Sequence, residues 1–223
     1  MPDGQYSFYL HSDDRTDIAA MATISTISQP LRGEFIRTAA TAGAVVYQVD
    51  ARLPALIPVF FAGQLSAVRL CAVMALVSGT WSSLTGLPDE PENGEAALPV
   101  SPETEYQRRR YTLTLQNGRS GERVESVLTE ASSRLRGDLL RNLIITGLAL
   151  HTTAPELPRL LASMPVPPTS VSELQALVQQ MAGTADVSRA AAAVPDTPAA
   201  SAAPVSGSDT REIKKNMRRA FGD

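Results

Sequence analysis

Cysteine is almost absent. Cys71 stands alone among 223 residues, which excludes an intramolecular disulfide and any zinc site built on cysteines. Histidine is nearly as scarce, and His11 and His151 lie too far apart in sequence to suggest paired imidazole ligands. No glycine-rich phosphate loop is present, and the many serines have no base at a recognisable spacing. These gaps argue against an enzyme, and neither a cofactor nor a metal is expected. Long apolar runs are also missing: the stretch from Leu53 to Val77 is broken by Pro54, Pro58, Gly63, Gln64 and Arg69, so no membrane span is expected. The opening Met-Pro-Asp-Gly-Gln lacks a basic segment followed by an apolar one, so no leader is expected and the chain reads as cytoplasmic. Cys71 itself lies among apolar residues and reads as a small buried hydrophobe. Trp81 reads as a packing residue beside the core.

Basic charge is unevenly placed. Residues 1–105 carry 5 Lys and Arg against 12 Asp and Glu, whereas residues 106–183 carry 9 against 6. The formal charge of −3 conceals this, and an anionic partner is to be sought in the middle of the chain.

An internal repeat decides the organisation. Leu31-Arg32-Gly33-Glu34-Phe35-Ile36-Arg37 returns as Leu135-Arg136-Gly137-Asp138-Leu139-Leu140-Arg141, a shift of 104. At that shift Gly43 meets Gly147, Leu53-Pro54 meets Leu157-Pro158, and Ser66, Leu70 and Gly79 meet Ser170, Leu174 and Gly183. One inserted residue upstream brings Tyr6-Ser7-Phe8-Tyr9-Leu10 opposite Tyr111-Thr112-Leu113-Thr114-Leu115. Each copy opens with a strand of period-two alternation, Tyr6, Phe8 and Leu10 in one and Tyr111, Leu113 and Leu115 in the other. A helix follows at roughly 15–27 or 121–132, with Ile18, Met21, Ile24 and Ile27, or Val124, Val127, Leu128 and Ala131, at helical spacing. A brief turn leads into a long helix of about 31–49 or 135–152, then come a short helix opened by Leu-Pro and a fourth near 66–78 or 170–182.

The expected fold is mainly α, with two tandem units over 1–79 and 106–183, each one short strand plus about four helices. Residues 80–105 hold four prolines and six carboxylates without a basic residue, which predicts a solvated, disordered linker. Residues 184–208, chiefly Ala, Pro, Ser and Val, predict a disordered spacer, and 209–223 an amphipathic peptide.

A lone strand leaves its backbone groups unpaired, so the two opening strands are expected to pair antiparallel over the helices. That is a ribbon-helix-helix arrangement inside one chain. Such a ribbon is narrow enough to enter the major groove, where base edges differ. The second strand suits that role. Arg108, Arg109 and Arg110 lead into it, and Arg110, Thr112, Thr114 and Gln116 point away from the core. The N-terminus of the long helix after Ser132-Ser133 is a phosphate-binding candidate, with Arg134, Arg136 and Arg141 close to or along it. The first strand offers Gln5, Ser7, Tyr9 and His11 outward, of which Ser7 and Tyr9 are candidate contacts. Asp13, Asp14 and Asp17 follow and are expected to repel phosphate, so the second unit is expected to supply most of the binding. His11 reads as a solvated loop residue and His151 as a C-terminal helix residue. An edge strand protected by charge is the plainer alternative for the three arginines.

In the terminal peptide Ile213, Met217, Ala220 and Phe221 share one helical face, and Lys214, Lys215, Arg218 and Arg219 cover the rest. So short a helix is marginal alone and is expected to fold on docking into an apolar groove of a partner. A basic membrane-surface helix and undirected disorder are the weaker alternatives.

With these residues assembled, the sequence resembles the ParR/StbB family of plasmid segregation adaptors. The resemblance is carried by Arg37 to Tyr47 followed by Asp50-Ala51-Arg52-Leu53-Pro54-Ala55-Leu56, by Arg109 to Leu115, and by Lys214-Lys215-Asn216-Met217. It implies binding to repeated centromere-like sites on double-stranded plasmid DNA and self-assembly on them. It also implies capture of an actin-like ATPase filament by the tail, the filament and not this chain hydrolysing nucleotide. Family members usually carry one unit per chain; here it is duplicated. Two other readings stay open: a tandem ribbon-helix-helix repressor or conjugation accessory factor, and a scaffold that binds only protein.

Overall fold

The computed structural model describes residues 4–80 and 107–192. The first repeat contributes β1 (Gln5–His11), α1 (Arg15–Ser25), α2 (Arg32–Val49), α3 (Leu53–Phe60) and α4 (Ala67–Ser78), with a single 3-10 turn at Gln29–Leu31 before α2. The second contributes β2 (Arg108–Thr114), α5 (Arg119–Glu130), α6 (Arg136–Thr153), α7 (Leu157–Ser163) and α8 (Val171–Ala192). The fold is mainly helical with one two-stranded sheet, as the repeat predicted.

β1 and β2 pair antiparallel, Gln5 opposite Thr114, Phe8 opposite Tyr111 and His11 opposite Arg108. One face of the ribbon is apolar: Phe8, Leu10 and Leu113 are buried, and the Phe8 and Tyr111 rings stack at 5.2 Å. Two strands cannot bury that face by themselves, so it is the packing of α1, α2 and α6 beneath it that keeps the ribbon formed.

The long helices α2 and α6 form the centre, and they cross with their backbones in contact. A Cβ on Gly43 would lie 2.0 Å from the Leu143 carbonyl oxygen, and one on Gly147 2.2 Å from that of Ala39. Since Gly43 and Gly147, and Ala39 and Leu143, are each 104 residues apart, the crossing obeys the same internal twofold as the sequence. The repeats interlock: α3 packs on α6 and α7 on α2, so both share one core within the compact unit that ends at Ser188.

Helix ends repeat as well. Arg32 Nε donates to the Ile27 carbonyl at 2.8 Å, and Arg136 Nε to that of Ala131 at 3.2 Å. Thr16 Oγ1 donates to the Pro58 carbonyl and Ser120 Oγ to that of Ala162. Cys71 is buried in the core, as its surroundings predicted, and burial pushes its thiol pKa up. His151 lies in the last turn of α6, its ring edge-on to Phe35 at 5.0 Å.

Two expectations are corrected. The buried positions of α1 are Asp17, Ala19, Ala20 and Ile24, so the expected stripe of Ile18, Met21, Ile24 and Ile27 was turned by about one residue. Alanine's small size let the polar neighbour Asp17 inside, which no apolar periodicity reports. Helix α8 runs to Ala192, past the boundary at 183 and nine residues into the stretch read as spacer. Alanine is the strongest helix former, and the run at 190–192 favours continuation of the helix. Trp81, nearly all of the 80–105 linker, and every residue from 193 onward lie outside the described residues. Among the described residues no helix is long and apolar enough to cross a membrane, and no His, Cys, Asp and Glu cluster could hold a metal.

Candidate nucleic-acid interface

The second face of the ribbon is polar, and the register decides which residues meet on it. Gln5 stands beside Thr114, Ser7 beside Thr112, Tyr9 beside Arg110 and His11 beside Arg108. Arg108, Arg110, Thr112, Thr114 and Gln116 are exposed, and Ser7 and Tyr9 half-buried. Arg110 donates from Nη2 to Ser7 Oγ at 2.9 Å and from Nε at 3.2 Å. The Arg108 guanidinium lies over the Tyr9 ring, 3.5 Å from its centroid, where the ring's negative face attracts it. Ser7 and Tyr9 therefore hold two of the second strand's arginines, Arg110 and Arg108, against the outer face of the ribbon. The first strand is a support for cations it does not itself contain.

Three expected site residues sit elsewhere. Arg109 has the parity of the apolar face, opposite Leu10, and its guanidinium lies 5.2 Å from the centroid of the Tyr111 ring. It is exposed but does not join Arg108 and Arg110. Arg136 is half-buried and closes the end of α5 through the Ala131 carbonyl. Arg134 is exposed in the turn between α5 and α6, outside the ribbon. The first turn of α6 does approach the sheet, since a Cβ on Gly137 would lie 3.5 Å from the Ser7 carbonyl oxygen. Its N-cap, Leu135, provides no side-chain bond to the first N–H groups.

The acids of the first unit are a further correction. Asp17, expected to repel phosphate, is fully buried, and Arg141, expected near phosphate, is its partner. Arg141 Nε and Nη2 each reach Asp17 Oδ1 at 2.7 Å, Asp17 Oδ2 accepts from the His11 backbone N–H at 2.9 Å, and Asp14 Oδ2 lies 3.2 Å from Arg141. Burial pushes the Asp17 carboxyl above its ordinary pKa, against the pull of the His11 N–H and Arg141. Asp14 also caps α1 by accepting from the Asp17 N–H at 3.0 Å. Of the three acids only Asp13 is exposed. The signal for this pair was in the match between the repeats, which sets Asp17 opposite Gly121 once α1 and α5 are superposed at 104.

A family model described as plasmid stability protein matches residues 4–74 and again 109–178, well over half the chain. The chain belongs to the plasmid stability protein family. Each match falls on one of the two repeats, so this plasmid stability protein carries the family's unit twice, and the two copies are those that pair through β1 and β2. No curated protein and no solved structure matches it. The tail residues Ile213, Lys214, Lys215, Met217, Arg218, Ala220 and Phe221 lie outside the described residues and outside both matches.

Proposed function

We propose that this plasmid stability protein is a partition adaptor of the ParR/StbB kind. It lays the β1–β2 ribbon in the major groove of repeated plasmid sites and links them, through residues 209–223, to an actin-like ATPase filament. The observation that carries the DNA half is the outward face of the ribbon. Arg108, Arg110, Thr112, Thr114 and Gln116 form an exposed row on a sheet backed by helices, with Ser7 and Tyr9 fixing the arginines. Arginine donates two parallel hydrogen bonds to guanine and threonine contacts either base edge, a good bidentate contact being worth about 1–3 kcal/mol of discrimination. Positive charge at the flanks, from Arg134 and the first N–H groups of α6, suits backbone phosphates that set register. The chain itself catalyses nothing in this reading.

The filament half rests on the amphipathic pattern of the terminal peptide. One peptide makes a weak contact, but many chains on clustered DNA sites present many, and avidity multiplies them.

Titration of the full chain onto tiled fragments of its own replicon tests the first half. Binding is expected to prefer fragments with repeated sites and to weaken steadily as salt rises. The double substitution Arg110→Ala and Thr112→Ala is expected to level repeat-containing and scrambled DNA; an unchanged preference removes the ribbon from the reading surface. Deletion of 209–223 tests the second half. Plasmid loss with DNA binding intact is expected, and faithful inheritance would leave the tandem repressor as the better reading.

A further inference from the structure

The duplication sets two equivalent arginines side by side for comparison, and their surroundings differ. In one half Arg141 is held by Asp17 at 2.7 Å and Asp14 at 3.2 Å. At the shift of 104 Arg141 corresponds to Arg37, Asp14 to Gly118 and Asp17 to Gly121. The correspondence is structural, because Asp14 and Gly118 are the N-caps of α1 and α5, and Thr16 and Ser120 bond equivalent carbonyls in α3 and α7. The arginine is kept in the other half, but both of its carboxylates are gone.

A pocket of about 270 Å³ opens at that place, lined by Arg37, Thr38, Arg119, Ser120 and Gly121 among others. Among the described residues neither the Arg37 nor the Arg119 guanidinium has a hydrogen-bond or ion-pair partner. Glu34 also faces the pocket, one carboxylate against two guanidinium groups. The loop forbids a built-in acid: a Cβ on Gly121 would lie 2.1 Å from the Gln116 carbonyl oxygen, and Gly118 has φ of 131°. With no carboxylate of its own to hold, Arg37 lies back toward Gly33, where a Cβ would sit 3.6 Å from its Nη1. The volume suits a tetrahedral oxyanion with several waters, each taking about 30 Å³.

We infer that this pocket between α2 and the β2–α5 loop binds a phosphate group, whose oxygens take the place that Asp14 and Asp17 hold in the other half. Arg37 and Arg119 supply paired charge-assisted hydrogen bonds and Ser120 a hydroxyl. The α5 N-terminus, which has no side-chain cap, adds N–H groups. Gln116, the last residue of the outward row, also lines this pocket, but Arg37, Arg119 and Ser120 lie outside the row, so the site does not rest on the ribbon arginines. The phosphate has two possible sources, free inorganic phosphate or a phosphomonoester on one hand and the DNA backbone on the other.

Calorimetric titration of the full chain with inorganic phosphate, against chloride at equal ionic strength, separates them when combined with DNA binding at several salt concentrations. For a free anion, wild type binds one phosphate per chain and Arg37→Gln loses at least tenfold in affinity. The double substitution Asp14→Gly and Asp17→Gly, where it folds, then opens the twin site beside Arg141 and takes two. For a backbone source, free phosphate does not bind, but Arg37→Gln lowers DNA affinity and reduces the salt slope by about one. Wild type and Arg37→Gln that agree in both titrations overturn the site, as does phosphate binding that Arg37→Gln leaves unchanged. A folded double variant that still takes one phosphate overturns the equivalence behind it.

Discussion

The two repeats share one backbone plan and differ in where they keep charge. The first turns three of its acids inward or against its own chain, Asp14 and Asp17 onto Arg141 and Asp50 onto Arg52, and its strand carries no lysine or arginine. The second puts Arg108 and Arg110 on the outer face of its strand and has glycine where the first has Asp14 and Asp17. A homodimer must give both copies every role. A duplicated chain need not: one copy supplies carboxylates that lock the halves together, and the other supplies cations that face outward. Arg37 and Arg141 hold equivalent positions, yet only Arg141 has a structural partner among the described residues.

The sharpest test of this division compares those two arginines. Arg141→Gln strands the Asp17 carboxylate, which is fully buried, whereas Arg37→Gln removes a guanidinium with no partner among the described residues. Breaking a buried pair costs about 3–5 kcal/mol, and because Arg141 keeps 21% of its side-chain surface exposed the expected loss is near the lower limit. For Arg37→Gln the expected change is within about 0.5 kcal/mol. Urea unfolding of both variants reads the difference, and equal losses would dissolve the asymmetry.

The crossing of α2 and α6 makes the opposite demand, since here the halves are equal. Gly43→Ala and Gly147→Ala each drive a methyl group into a backbone carbonyl that cannot swing aside. Overpacking costs about 1–3 kcal/mol, and both variants are expected at the top of that range or beyond it, with similar midpoints in the same unfolding experiment. A mild effect in one variant alone would mean that the crossing is not symmetric.

These cases show what was legible in the sequence. The repeat, the element order and the antiparallel pairing of the two strands followed from matching short motifs, because a strand and its twin must satisfy each other's backbone. The outward row from Arg110 to Gln116 followed from period two alone. Parity assigned Arg109 to the other face as well, but three adjacent arginines read as one cluster. Asp17 was illegible for a different reason. An apolar stripe is recognised by its large side chains, and Ala19 and Ala20 bury a helix face without announcing it. Its partner is 124 residues away, and no local pattern links them. The Arg136 bond to Ala131 escaped similarly, since a helix-closing arginine and a phosphate-binding one occupy the same place in sequence.

On the ribbon, the comparison sharpens into reader against support. Arg110→Ala is expected to lose about 1–3 kcal/mol of discrimination between preferred and scrambled DNA. Ser7→Ala leaves the arginine in place but frees its guanidinium, and an exposed hydrogen bond of this kind is worth about 0.5–1 kcal/mol. Gln5→Ala, on the same strand without an arginine to hold, is expected to change less than either. Fluorescence anisotropy with labelled duplexes ranks the three, and a Ser7 effect as large as that of Arg110 would make the first strand a reader in its own right.

The smallest effect concerns an ion pair found in one half only. Asp50 and Arg52 correspond to Ala154 and Glu156 in the second repeat, which cannot form it. Arg52 Nη2 lies 2.7 Å from Asp50 Oδ2 and also donates to the Val77 carbonyl at 2.8 Å, tying the end of α2 to that of α4. Hydrogen bonds from the Arg52 side chain and backbone hold the Asp50 carboxyl below its ordinary pKa. A lowered folded-state pKa means that the stabilisation is complete above the ordinary carboxylate range and is lost as pH falls through the folded value. Asp17 has the opposite sign, because burial raises it: its contribution is complete below the ordinary range and lost as pH rises through its folded value. Wild type and Asp50→Asn share Asp17, so the difference between their urea midpoints as a function of pH isolates the surface pair. Wild type is expected to be the more stable at neutral pH, with the gap closing on acidification and shrinking in high salt, since exposed charges are screened. A gap that persists in acid would assign the stabilisation to the turn geometry around Asp50 and not to its charge.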